Sequence, residues 1–99
     1  MSRPVALLVV LVVVVVAWPS PSPSHTGVVT RVVDGDTIWV DGVDVSIRFL
    51  DVDAPELDTP EGIVARDELV VRLDGRVVDL FCDGYGYYGR WLCVVRVVS

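Results

Sequence analysis

An unbroken apolar run from Val5 to Trp18 opens the chain and gives way at once to the Pro/Ser tract PSPSPS at 19–24. Beyond it the apolar positions fall into short β-branched stretches. Gly27 to Val33 predicts a first strand, interrupted by the turn formers Asp34-Gly35-Asp36, and Thr37 to Val40 predicts a second. Asp41-Gly42 is a hairpin-turn signal. After it Val43, Val45, Ile47 and Phe49 alternate with Asp44, Ser46 and Arg48, a period of two that predicts a third strand with one wet face. On that pattern Arg48 points away from the apolar interior.

The rhythm then changes. Thr59-Pro60-Glu61 offers an N-cap, a proline at the first helical position and an early acid, and Gly75 supplies the stop. Between them Ala65, Leu69 and Leu73 recur at helical spacing, which predicts a helix of about fourteen residues. A fourth strand is expected over Arg76 to Cys82, with Asp79 facing water and Val78, Leu80 and Cys82 facing in. The fifth, Arg90 to Val98, puts Arg90 and Arg96 outward and Trp91, Cys93, Val95 and Val97 inward. A mostly β chain with one helix in the order β-β-β-α-β-β suits a small five-stranded barrel of the OB type.

The leading apolar run follows Arg3 and is shorter than the roughly 20 residues that span a bilayer, so it matches the core of an export signal. Val15 and Ala17 are acceptable small residues ahead of a cleavage point after Ala17; the alternative is an uncleaved membrane tether through residues 5–18. The expected organisation is a signal peptide or short anchor over 1–18, a spacer over 19–26 with His25 as solvated linker, and a domain over 27–99. The product is then secreted or anchored on the outer face. About 73 residues leave room for one modest core.

Export permits a disulfide between Cys82 and Cys93. If Cys82 lies opposite Trp91, however, Cys93 is only its diagonal neighbour, and direct pairing requires Arg90 to lie inside the loop. The expectation is two buried free thiols.

Charge narrows the function classes. The formal net charge is −6, and without Arg3 seven arginines face fourteen acids, or −7. That is the wrong sign for gripping polyanions by bulk charge. Lys, Asn and Gln are absent and every basic residue is Arg, a bias that a GC-rich genome or a high-salt habitat would each produce.

The acids are not spread evenly. Asp36 leaves the first strand and Asp53 leaves the third, so two carboxylates from strand ends can converge on one cation. With no His or Cys nearby, oxygen ligands point to Ca²⁺ or a similar hard ion rather than Zn²⁺. The plainer alternative is that Asp34, Asp36 and Asp41 are ordinary turn formers.

Asp34-Gly35-Asp36-Thr37, an arginine leading an apolar strand into Asp53-Ala54-Pro55-Glu56, Gly62 and Ala65 opening a helix, and Tyr88-Gly89-Arg90 occur in this order. The pattern, over roughly residues 28 to 95, resembles the staphylococcal nuclease, or thermonuclease, family. The resemblance implies a Ca²⁺-dependent phosphodiesterase that acts on DNA and RNA and leaves 3′-phosphates. It also implies that Asp36, Asp53 and the Ala54 carbonyl ligate calcium, with Asp34 in the outer shell. Glu56 would then activate the attacking water, and Arg48 and Arg90 would hold the phosphate.

The chemistry is consistent with these roles. In-line attack on a phosphodiester needs an oriented water, counter-charge for the transition state and a cation on a non-bridging oxygen. The planar fork of arginine matches phosphate oxygens and stays charged at any working pH.

Three departures from the family pattern stand out. Gly86 and Tyr87 replace an acid and a basic residue ahead of Tyr-Gly-Arg. The chain ends at Ser99, before the helices that follow the barrel in the family and the aromatics they carry; a fragment, or a domain needing salt, calcium or a partner to stay folded, is expected. Tyr85, Tyr87 or Tyr88 could then stack on a base instead. Third, the surface is acidic.

The function read from the sequence is an exported, monomeric, calcium-dependent nuclease, in which Glu56→Gln or Arg48→Ala abolishes cleavage with the fold intact. The alternatives are a non-catalytic OB-type nucleic-acid-binding module, a truncated inactive fragment, and a membrane-tethered structural protein.

Overall fold

The computed structural model describes residues 21–99, Tyr87 by its backbone alone. The signal or anchor expected over 1–18 lies outside the described residues. Five strands, β1 (His25–Asp34), β2 (Thr37–Val40), β3 (Ile47–Phe49), β4 (Val77–Tyr85) and β5 (Trp91–Val97), close into a barrel in the order β1-β2-β3-β5-β4. The one α-helix among the described residues, α1 (Pro60–Leu73), joins β3 to β4 and packs on β1. This is the five-stranded OB-type barrel expected. All neighbours are antiparallel except β3 and β5, whose parallel pairing closes the ring.

Alternation along the strands fills the interior with Val29, Ile38, Val40, Ile47, Phe49, Val78, Leu80 and Cys93, joined by Leu73 from the end of α1. The helix forms as its sequence predicts. The Thr59 hydroxyl accepts from the Gly62 N–H at 3.1 Å, and Pro60 takes a first-turn position where no N–H is needed.

Four strand details depart from the expectation. The first strand begins at His25, not Gly27. Ser24 N–H donates to the Leu80 carbonyl at 2.6 Å, and the His25 ring sits 2.9 Å from the Asp41 carbonyl, so His25 belongs to the barrel and not to a linker. The third strand is confined to Ile47–Phe49, and only its Ile47 and Arg48 pair with β2, against Ile38 and Thr37. Asp79 does not face open water. Thr26 donates to it at 2.6 Å and Arg96 approaches at 3.2 Å, and together they cover it. Val97, expected inward, is 41% exposed, since β3 pairs with β5 only as far as Cys93.

The cysteines are not free thiols. Cys82 and Cys93 are direct cross-strand partners joined by a disulfide, because Arg90 lies outside β5 and the chain reverses before Trp91. Closing a loop of this length is worth about 3 kcal/mol against the open unfolded chain.

Candidate active site

The site begins at the turn between β1 and β2. The Asp34 carboxylate accepts from the Asp36 N–H at 3.0 Å, an Asx turn that directs Asp36 inward. Buried Asp36 then collects partners from three segments. Its Oδ1 accepts from the Thr37 hydroxyl at 2.9 Å, and its Oδ2 accepts from the Ala54 N–H at 3.2 Å and lies 3.4 Å from Arg48 Nη2. Burial alone would raise this carboxyl, but the bond from Asp34, then those from Ala54 and Thr37, then the Arg48 charge outweigh it and hold Asp36 below the ordinary value. Asp34 moves the other way, raised first by burial and then by its bond to Asp36.

Arg48 stands on β3 opposite Thr37. Its wet face is real but occupied. Nη1 donates to the carbonyls of Phe49 and Val52, and Nη2 lies 3.4 Å from both Asp36 Oδ2 and Asp53 Oδ1. The guanidinium thus gathers the loop after β3 around itself and stands between the two acids. Asp53 itself has a side chain 97% exposed.

Glu56 is positioned through its backbone. Its carbonyl accepts from Thr59 N–H at 3.1 Å and from Thr59 Oγ1 at 2.6 Å. It also lies directly against Gly62, where any Cβ would collide with it. The exposed side chain reaches the cleft from that fixed peptide.

Arg90 enters from the far side, at the end of the β4–β5 loop. It is half-buried, its Nη1 lies 3.5 Å from Thr37 Oγ1, and its guanidinium carbon is 5.9 Å from the centre of the Tyr88 ring.

Asp34, Asp36, Arg48, Asp53, Ala54, Glu56, Tyr88 and Arg90 line one cleft of about 490 Å³, with Pro55. The two arginines therefore face the same space. A second cleft of about 930 Å³ adjoins it, sharing Arg48, Asp53 and Arg90 and running over Phe49, Leu50, Val52, Tyr85 and Leu92. Tyr85 stacks on Trp91 at 6.5 Å between ring centres and 20° between planes. Of the three tyrosines singled out in the sequence, Tyr88 lines the first cleft and Tyr85 the second; the Tyr87 side chain lies outside the description.

Two contributors escaped the sequence reading. Thr37 links Asp36 to Arg90, and its only signal was its place in Asp-Gly-Asp-Thr. Thr59 holds the Glu56 carbonyl as well as capping α1, a second task that cap chemistry alone does not announce.

Among the described residues, no three His, Cys, Asp or Glu side chains gather into a ready-made metal cage. What the cleft offers a cation is oxygen only, from the carboxylates of Asp34, Asp36, Asp53 and Glu56, of which Asp36 and Asp53 already converge on Arg48 Nη2. That donor chemistry fits a hard ion that keeps much of its water.

Over 89 residues the chain is 38% identical to a micrococcal nuclease of Shigella flexneri, covering 85% of this chain and 49% of that protein. It is similar to a nuclease. Over 99 residues it is 39% identical to Protein ParB of Escherichia coli, covering 98% of this chain and 54% of that protein. The chain thus spans about half the length of these curated relatives. No family model matches it. The nuclease likeness supports a domain of the staphylococcal nuclease type on the barrel described above.

Proposed function

We propose that this chain carries a thermonuclease-type domain that hydrolyses phosphodiester bonds of DNA and RNA with the help of Ca²⁺. The observation that carries the proposal is the single cleft into which Asp36, Arg48, Asp53, Glu56 and Arg90 all open. The similarity to a micrococcal nuclease supports it from a separate direction.

In this reading the substrate phosphate lies between Arg48 and Arg90. Their guanidinium groups hold its non-bridging oxygens and gain strength as charge builds in the transition state. The Glu56 carboxylate accepts a proton from the attacking water and aligns it with the phosphorus. Asp36, Asp53 and the Ala54 carbonyl would hold calcium, and Asp34 supports Asp36 from behind. When bound, the ion supplies positive charge beside a phosphate oxygen. Arg48 must loosen its hold on Asp53 as substrate enters, and at 97% exposure Asp53 is free to swing. A base leaving the phosphate has the second cleft beside it, where Phe49, Leu50, Tyr85 and Leu92 offer apolar surface.

Export, with residues 1–18 as signal or anchor, is part of the proposal, as is action by a monomer. A non-catalytic binding module is the second reading, favoured by Arg48 being engaged by both acids. Cleavage of single-stranded DNA and of RNA by the full chain, with calcium and with chelator over a range of salt, decides between them. The nuclease reading expects calcium-dependent degradation; binding without degradation, even in molar salt, overturns it.

A further inference from the structure

The hairpin that delivers Arg90 and Tyr88 contains the most irregular stretch of the β4–β5 ladder. From Val78↔Val97 to Cys82↔Cys93 the two strands pair in step, and then the register slips so that Tyr85 faces Trp91. β4 therefore carries one extra residue, taken up at exposed Asp83-Gly84, where Gly84 has φ 70°. Neither residue has an apolar side chain to select one register over another. Beyond the bulge the Gly86 N–H donates to the Arg90 carbonyl at 2.8 Å and closes the loop.

A slip of one residue along β5 reverses the face to which each side chain points. It would turn Arg90 away from the cleft. The disulfide occupies the last regular rung before the bulge and removes that freedom. Cys93 is also the junction with β3. It pairs with Phe49, its carbonyl accepts from the Leu50 N–H at 3.0 Å, and the preceding pair is Arg48↔Leu92. One cross-link thus sets the Arg90 hairpin against the strand that bears Arg48.

We infer that the Cys82–Cys93 disulfide is a positioning element for Arg90, keeping its hairpin in register with Arg48 so that both guanidinium groups address one phosphate. The inference rests on the proposed phosphodiesterase for Arg90's role as a phosphate ligand, and it makes full activity a property of the oxidised chain. Reduction by a dithiol breaks the Sγ–Sγ bond. Two electrons and two protons pass to the cysteines, which become thiols, and the reductant closes to its own disulfide.

The test uses the full chain, oxidised, reduced with dithiothreitol, reoxidised, and as the Cys82→Ala/Cys93→Ala double variant. Amide and Arg90 Nε–H chemical shifts report position in the folded state, and kcat and KM on a single-stranded oligonucleotide with calcium report function. On reduction, signals of residues 84–91 and Arg90 Nε–H should shift or broaden while those of β1 and β2 hold. The kcat should fall about tenfold, more than KM changes, and recover on reoxidation. Unchanged hairpin shifts, or unchanged kcat in a cleaving protein, overturn the inference. Collapse of the β1 and β2 signals on reduction overturns it too, because the bond would then hold the barrel and not the hairpin. If the double variant fails to fold, the reduced native chain still decides. Should the oxidised chain not cleave at all, the phosphodiesterase reading fails on its own, and the chemical shifts alone judge the positioning role.

Discussion

Gly62 lies against the Glu56 carbonyl with no room between them for a methyl group. Thr59 bonds the same carbonyl and caps the same helix, so the first turn of α1 is the seat on which Glu56 is fixed. Gly62→Ala sets two effects against each other. Helix propensity favours Ala by about 1 kcal/mol, whereas forcing a packed backbone apart costs about 1–3 kcal/mol. The collision here is with backbone, not with a yielding side chain, and should win. The variant is expected to unfold at lower urea and to turn over at least tenfold more slowly; a variant stabilised with full activity would show that Glu56 is seated some other way.

Glu56 and Arg48 should part company under mutation. The Glu56 side chain is exposed, so Glu56→Gln should lower kcat by about 10²–10⁴-fold, the usual span for a general base, with the urea midpoint unchanged. Arg48 is different, because its guanidinium compensates buried Asp36 and ties down the Phe49 and Val52 carbonyls. The expectation from sequence that Arg48→Ala spares the fold is therefore revised: stability should drop by about 1–3 kcal/mol as those groups lose their partner. Arg48→Lys keeps the charge and loses the fork. It should remain nearer the parent in stability while activity falls at least tenfold, and equal activity would remove Arg48 from phosphate binding.

What the sequence made legible was local. The Asp-Gly-Asp turn and the Thr59-Pro60 helix start depend on neighbours in the chain and appear where their residues predict, while the alternation from Val43 to Phe49 becomes strand only over Ile47–Phe49. What stayed hidden depends on distant partners. Asp79 looked like a water-facing residue because Thr26, which covers it, lies 53 positions away. The cysteines looked diagonal because the fourth strand was expected to end at Cys82: β4 runs on to Tyr85, which faces Trp91, so Cys82 meets Cys93 and the extra residue falls at Asp83-Gly84. Arg48 was correctly assigned to a polar face, but no periodicity shows that the loop after β3 folds back over it.

Asp79 gives a pH dependence outside the cleft. The Thr26 hydroxyl, opposed by partial desolvation and aided by Arg96, holds its carboxyl below the ordinary value. A carboxyl depressed in the folded state contributes stability above its unfolded pKa, and that contribution is lost as pH falls through the folded pKa. The melting-temperature gap between parent and Asp79→Asn should therefore be full at neutral pH and narrow below the ordinary carboxylate range, about pH 4. Melts from pH 2 to 8 check this, and a gap that stays constant to the acid limit would mean the charge of Asp79 contributes nothing.

The acidic surface sets how substrate binding responds to salt. Arg66 and Arg96 already pair with Asp67 and Asp79, and among the arginines of the described residues only Arg48 and Arg90 line the proposed phosphate cleft. Each phosphate neutralised on a single strand contributes a slope of about −0.7 in log K against log salt, so two contacts give about −1.4, or about a sevenfold loss between 50 and 200 mM. A protein that binds along a basic track instead loses about 10³–10⁵ over the same range. Fluorescence anisotropy of a labelled oligonucleotide with the Glu56→Gln chain and calcium measures the slope directly. A value steeper than about −4 would require roughly six phosphate contacts, more than this cleft provides, and would move the binding surface out of it.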